Sequence, residues 1–251
     1  MSAVKEALQR LRVRSPTRLT DYEHRVFSQN GEDGIIQEIF HRIGITNRYF
    51  VEFGVEGGIE CNCGRLVKMK GWSGLFMEAD PAHFAQLEEN YEPYPNVTCR
   101  QAIVASSNIE EIFSKNGVPL EPDLLSIDID GNDYWVWAAI KRWSPRVVIV
   151  EYNASHRPPR RWVMKEDPDH TWDQTNYYGA SLASLAALGE QKGYALVATD
   201  SMGVNAFFVR RELAVPERFI RPGDVMFHYS PPRFGSYEGG HRAGSGPYVE
   251  I

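Results

Sequence analysis

A chain of 251 residues with 43% hydrophobic and 24% charged content buries one sizeable core and lacks the composition of a disordered segment. Its formal net charge of -6 argues against a nucleic-acid partner, whose phosphates select basic surfaces, and no stretch reaches the roughly 20 apolar residues of a membrane helix. Cys61, Cys63 and Cys99 make neither an even disulfide framework nor a zinc pattern, so they read as reduced thiols of a cytoplasmic protein without an apolar signal core.

In "AVKEALQRLRVR", Val4, Ala7, Leu8 and Leu11 recur at i, i+3, i+4 and i+7, the spacing of an amphipathic helix. Residues 1–26 are therefore expected to be a helical extension docking on the body or on a second subunit, which makes a homo-oligomer an expected partner state. The arginines also fit a transit peptide, against which Glu6 and the short length count.

From Gly31 onward apolar runs alternate with helical patterns. The expected strands are Tyr49 to Phe53, Gly74 to Glu78, Val97 to Ile103, Leu124 to Ile129, Val147 to Tyr152, Tyr194 to Thr199 and Asn205 to Val209. Between them lie expected helices at Asp33 to Ile43, Asn62 to Met69, Pro81 to Glu89, Ile109 to Lys115, Tyr134 to Arg142 and Ser181 to Lys192. This alternation predicts an α/β fold, a Rossmann-like, doubly wound, mostly parallel seven-stranded sheet over 27–213. The last two strands are separated only by "DSMGV", so they close it as an antiparallel hairpin.

Residues 153–179 form a long polar and aromatic insertion, the usual place for a lid or binding loop. Residues 214–251, rich in Gly, Pro and Ser, are expected to be irregular and partly mobile.

In an open α/β sheet, ligands bind outside the carboxyl ends of the strands. The first such end carries "VEFGVEGG", where Gly54, Gly57 and Gly58 would let a ligand approach the backbone. Glu52 and Glu56 would repel a pyrophosphate, and the turn lacks the lysine of a P-loop. They suit a ligand with hydroxyls and a positive charge. Glu78 follows some 20 residues later, where dinucleotide folds place the acid that binds ribose. Asp80 before Pro81 is a helix N-cap.

"LLSIDIDGNDYWVW" crowds Asp128, Asp130 and Asp133 at the fourth strand end, an arrangement costly without a cation or donors nearby. Glu151 and Asn153 would end the adjacent strand, and with Asp128 they form an oxygen-rich set that suits Mg²⁺. The competing reading has Asp128 capping the turn and Glu151 paired with an arginine of "RPPRR". His156 and His170 on the insertion are candidate bases, set against the solvated state of most loop histidines. Trp162 and Trp172 would stack on an acceptor ring or anchor the loop, while Tyr177 and Tyr178 read as loop anchors and Trp135 and Trp137 as core or interface residues.

The blocks "FSQNGEDGII", "YFVEFGVEGG", "GWSGLFMEADP", "LLSIDIDGND" and "VVIVEYN" occur in an order that resembles the class I S-adenosylmethionine-dependent methyltransferases, and within them the FkbM-like family. The resemblance covers about the central three-fifths of the chain and extends through "GYALVATDSMGVNAFFVRREL" toward residue 213. It implies S-adenosylmethionine as cofactor, with Gln29, Glu52, Gly54 and Glu56 near its methionine end, Glu78 on the ribose, Ala102 of "QAIV" beside the adenine and Asp128 below the sulfonium. It also implies, as in some sugar O-methyltransferases, a metal at the fourth and fifth strand ends, held by Asp128, Glu151 and Asn153. "ECNCGR" replaces the small polar pair with Thr common in relatives, which leaves the role of Asn62 open.

The function expected is O-methylation of a hydroxyl on a small molecule, a sugar or natural product, assisted by Mg²⁺, with no nucleic acid or membrane partner. The alternatives are N-methylation of an amine without metal, a non-catalytic cofactor-binding protein, and more distantly a dinucleotide oxidoreductase, which the glycine spacing and the acids in the turn disfavour.

Overall fold

The computed structural model describes residues 16–235 and 239–251, and the expected N-terminal helix lies outside them. A seven-stranded sheet runs in the order β3-β2-β1-β4-β5-β8-β7, where β1 is Tyr49–Phe53, β2 Ser73–Glu78, β3 Val97–Gln101, β4 Leu124–Ile127, β5 Val147–Glu151, β7 Tyr194–Thr199 and β8 Asn205–Arg210. The first five pair in parallel, and β8 lies antiparallel to both β5 and β7. This is the expected fold class, hairpin included.

Central parallel strands are covered on both faces and so read as continuous apolar runs. Alternate residues serve opposite layers, because successive side chains of a strand point to opposite sides. Val51, Phe53, Leu125, Ile127, Val148 and Val150 face one core, whereas Phe50, Phe76, Leu124, Val147, Ile149 and Phe207 face the other. The first core is covered by α4 (Ile109–Lys115), α5 (Asp133–Ala139) and α6 (Leu182–Gln191); the second by α1 (Glu32–Ile43), α2 (Gly64–Lys70) and α3 (Pro81–Tyr91). Trp137 belongs to the first core, against Phe208 and Tyr194. Asp80 caps α3 by accepting from the amides of Ala82 and His83 at 2.9 Å.

Three strands stop earlier than their apolar runs suggested, β3 at Gln101, β4 at Ile127 and β5 at Glu151. Of the residues beyond them, Ile103 is exposed, whereas Tyr152 stays buried in the first core with its hydroxyl donating to the Ser230 carbonyl. The insertion is also less irregular than expected. Its β6 (Val163–Met164) pairs antiparallel with β9 (Tyr248–Val249) near the end of the tail. The tail expected to be irregular and partly mobile thus carries a short helix, α7 (Val225–His228), and is strapped down. Tyr177 Oη donates to the Pro247 carbonyl at 2.7 Å, and the Gly244 amide donates to Asn176 Oδ1 at 2.8 Å. Among the described residues no helix is long and apolar enough to cross a membrane.

Below the sheet, at the amino ends of the strands, Asp123 is fully buried. It accepts from the amides of Thr46, Asn47 and Arg48 and pairs with Arg146 Nη1 at 2.6 Å. Arg146 also donates to the carbonyls of Gly44 and Ile43 at 2.9 Å. Removing one partner of a buried pair leaves an uncompensated charge. Arg146→Met should therefore lower unfolding free energy by about 3–5 kcal/mol in urea titrations; a loss below about 1 kcal/mol, the scale of an exposed pair, would show that Asp123 is neutralised by its amides alone.

Candidate functional site

Gly54 leaves β1 with φ 74°, and a Cβ there would lie 1.5 Å from the Asp128 carbonyl oxygen. Glycine alone fits. Its amide donates to the Met77 carbonyl at 3.1 Å, so the exits of β1, β2 and β4 meet at one point and their carboxylates share one crevice.

Those carboxylates fall into two kinds. Glu52 accepts from the amides of Asn62 and Cys63, both at 2.8 Å, and burial pushes its pKa up to about 7 against the pull of these bonds. Glu78 accepts from the amides of Glu56 at 2.7 Å and of Ala79 and Asp80 at 2.8 Å. Asp133 accepts from Ile129 and Gly131 at 2.9 Å. Each of these acids organises a turn through backbone donors.

Asp128, Asp130 and Glu151 differ. One oxygen from each lies within 4.8 Å of the others, and among the described residues no protein donor bonds to their carboxylates. Glu151 is 9% exposed, and its Oε2 is buried without a partner. Burial, then Asp130, Asp133 and Glu52, push Asp128 well above the ordinary range; burial, then Asp128, Asp130 and Asp133, do the same to Glu151. Among the described residues, the competing pairing of Glu151 with a "RPPRR" arginine is not formed. Asp130 adopts φ 53°, a region non-glycine residues enter at a cost and that concentrates at functional sites.

Asn153, expected among the metal ligands, is otherwise engaged. Its Nδ2 donates to the carbonyls of Asn176 and Tyr178 at 2.8 and 2.9 Å, and its Oδ1 accepts from the Ser155 amide at 3.1 Å. Its amide fastens the insertion to β5, and the carboxylate that comes together with Asp128 and Glu151 is that of Asp130.

His156 stacks on Trp162 with ring centroids 4.0 Å apart, and neither ring nitrogen has a partner. Burial, helped by Arg160, lowers its pKa to about 4. A ring this weakly basic, with no hydrogen-bond partner, is a poor general base. His170 does lie at the cluster: a Cβ on Gly131 would sit 2.5 Å from its Cδ2, and its charge opposes the burial that raises Asp130.

Gln29 is exposed on a loop held by Asp33 Oδ2, which accepts from the amides of Val26, Phe27 and Ser28 at 2.9, 2.7 and 2.8 Å. Ala102 donates its amide to the Glu78 carbonyl at 2.9 Å. Glu56 has φ 49° and faces Asp130 electrostatically. Asn62, whose role the sequence left open, joins two strand ends: its amide donates to Glu52 and its Nδ2 to Ser126 Oγ at 3.0 Å.

One neighbour of the cluster escaped the sequence. His241, from the tail, lies 4.7 Å from Trp172 and 5.0 Å from Phe234 by ring centroid and acts on Asp130. The isolated bridge of Thr175 with the neighbouring Arg242 and the β6–β9 pairing further on fasten this part of the tail to the insertion, and pairings this short leave no periodic signal. Tyr178, read as a loop anchor, is 3% exposed and feels the charges of Glu151 and Asp128.

No protein-family model matches the chain, and no curated protein matches it significantly. Among solved structures, the N-terminal domain of EvdMO1 with SAH bound is 17% identical over 74% of this chain and 82% of that one, with a TM-score of 0.46. An O-methyltransferase from Bacillus cereus in complex with SAH is 17% identical over 82% and 95%, at 0.45. A SAM-dependent methyltransferase from Aquifex aeolicus is 13% identical over 70% and 89%, at 0.40. At such identities and scores these likenesses carry no weight for the activity of this chain.

The acid sensitivity of His156 can be measured. An unfolded histidine takes up its proton near 6.5, the folded ring only near about 4. Between those values the unfolded state holds more protons, so stability rises with pH there and falls as pH drops through the window. His156→Phe keeps the stack on Trp162 and removes the proton uptake. Its denaturation midpoint should fall less than the parent's from pH 6.5 to 4; an equal fall would assign the sensitivity elsewhere.

Proposed function

We propose that this chain is an S-adenosylmethionine-dependent methyltransferase that methylates a hydroxyl of a small molecule, such as a sugar or natural product, with a divalent cation at Asp128, Asp130 and Glu151. The observation that carries the reading is the division among the carboxylates of the crevice. Glu52 and Glu78 at the glycine turn are bonded to backbone amides, whereas Asp128, Asp130 and Glu151 beside it receive no protein donor and converge within 4.8 Å.

A buried, unpartnered oxygen such as Glu151 Oε2 is costly unless a ligand compensates it. Three carboxylates make a hard donor set of the kind Mg²⁺ takes, with waters completing its shell. When bound, such a cation would lower the acceptor hydroxyl's pKa and fix its orientation.

The cofactor supplies an electrophilic methyl group for an in-line displacement. The chain's own task is then to align the acceptor and receive its proton. In this reading Gly54 keeps the β1 turn low enough for a ligand to lie over it, the acids of the crevice suit a sulfonium and an ammonium, and Glu78 with Ala102 borders the ribose and adenine. His170 replaces His156 as the candidate base because it lies at the cluster. Residues of the insertion and tail, Trp172, Tyr178 and His241, wall the acceptor side. The FkbM-like resemblance fits this reading through "FSQNGEDGII" and "YFVEFGVEGG".

Calorimetric titration tests both parts. S-adenosylmethionine should bind saturably, and NAD should not. Glu78→Gln keeps the side chain's size but turns one of its acceptor oxygens into a donor; it should weaken cofactor binding about tenfold or more while the far-ultraviolet dichroism stays unchanged. Saturable NAD binding without binding of the methyl donor would overturn the cofactor assignment.

The cation has its own test. Mg²⁺ titrated into the cofactor-free protein should bind with an affinity that Glu151→Gln reduces about tenfold or more, and turnover on hydroxylated acceptors should fall in EDTA. Turnover indifferent to EDTA would remove the cation and favour an amine acceptor.

A further inference from the structure

A second cavity lies away from the crevice. Between the outer faces of α1 and α2 runs a groove of about 360 Å³, within the roughly 300–1,000 Å³ range of small-molecule sites. It reaches from Asp33 and Asn62 near the crevice to Arg48 and Trp72, which precede β1 and β2 at the opposite ends of those strands.

Its floor is apolar, and its rim is cationic. Ile36, Phe40, Leu66 and Trp72 are buried there, with Phe40 and Trp72 edge to face at 5.0 Å. Arg48, Arg65 and Lys70 line the same groove. Among the described residues none of these three forms a salt bridge.

Arg65 is the most constrained of them. Its Nη1 donates to the Asp33 carbonyl at 3.3 Å, while its Nε is buried with no partner. A buried guanidinium donor left open is costly, and an anion's oxygen would satisfy it. Arg48 is fixed from below, since its amide donates to Asp123 Oδ2 at 2.7 Å, and its side chain is exposed. The one carboxylate lining the groove, Asp33, has its Oδ2 occupied by backbone amides, and its Oδ1 is buried without a partner. Three cations against one acid leave the groove positive.

We propose that this groove is a second ligand site for a small organic anion, a carboxylate or phosphate head joined to an aromatic or acyl body. The head would meet Arg65 and Arg48, with Lys70 nearby, and the body would lie over Ile36, Phe40 and Leu66. Because Asn62 links the inner end of the groove to Glu52 and Ser126, an occupant would touch a residue that also braces the glycine turn.

Calorimetry on the full chain without any methyl donor isolates this site from the crevice. Phenyl phosphate and phenylacetate serve as probes, and the tighter of the two identifies the head. At least one should bind saturably, with affinity reduced about tenfold or more in Arg65→Met and in Arg48→Met. Arg48 is exposed, so its variant tests the site even if Arg65→Met folds poorly. Arg161→Met, an exposed arginine of the insertion, should change nothing. Inorganic phosphate should bind at least about tenfold more weakly than phenyl phosphate, because it forgoes the apolar floor. Absence of saturable binding, equal affinity in both groove variants, or inorganic phosphate as tight as phenyl phosphate would each overturn the proposal, and none of them bears on the methyltransferase reading.

Discussion

The contact on which the crevice depends is the one between Gly54 and the Asp128 carbonyl. A side chain at position 54 has no room beside that oxygen, so the exits of β1 and β4 press together only because this residue has no Cβ. Everything chemical follows from the closeness. Asp128 comes beside the turn that holds Glu52, and the acids of two neighbouring strands, Asp128 and Glu151, stand near enough to raise each other's pKa.

Around that contact the chain uses carboxylates as turn organisers. Asp33, Glu52, Glu78, Asp123, Asp133 and Asp200 each accept from two or more backbone amides. The strategy is economical, because one ionised oxygen satisfies several amides that a tight turn leaves without partners. It also holds an irregular loop in one geometry. The sequence shows these acids only as a scatter of charges between apolar runs.

This explains what could be read in advance and what could not. Strand positions were legible because parallel strands buried on both faces are continuous apolar runs, as in "YFVEF" and "VVIVE". Strand ends were legible as places where acids gather. The division of labour among those acids was not, since Glu52 and Asp128 look alike as letters, and only the direction of nearby amides separates a brace from an open ligand. Asn153 shows the same blindness: an Asn beside Glu151 reads as a metal ligand until its amide is found fastening the insertion. His156 and His170 lie in one loop, and only the fold stacks one on Trp162 and sets the other against Gly131. The tail was hardest. Its Gly- and Pro-rich composition describes a chain with few partners of its own, and those it has, such as Asn176 and Tyr177 of the insertion, lie far off in sequence, beyond the reach of any local pattern.

The contrast between satisfied and unsatisfied acids carries a constraint on how the crevice evolved its chemistry. A fold that bonds Glu52, Glu78 and Asp133 to amides has the means to quiet a carboxylate wherever one is buried. At Glu151 and the half-buried Asp128 it does not do so, and the exposed Asp130 beside them is held at a positive φ, which adds backbone strain to electrostatic repulsion. Unpartnered carboxylates, mutual repulsion and a strained backbone residue falling together at one place are what a site that gives up stability for binding would show. The cluster's position then limits what can relieve it. It stands beside the glycine turn, with His241 of the tail packed on Trp172 of the insertion and acting on Asp130, so the cation of the proposed reading would be held where insertion and tail meet the strand ends.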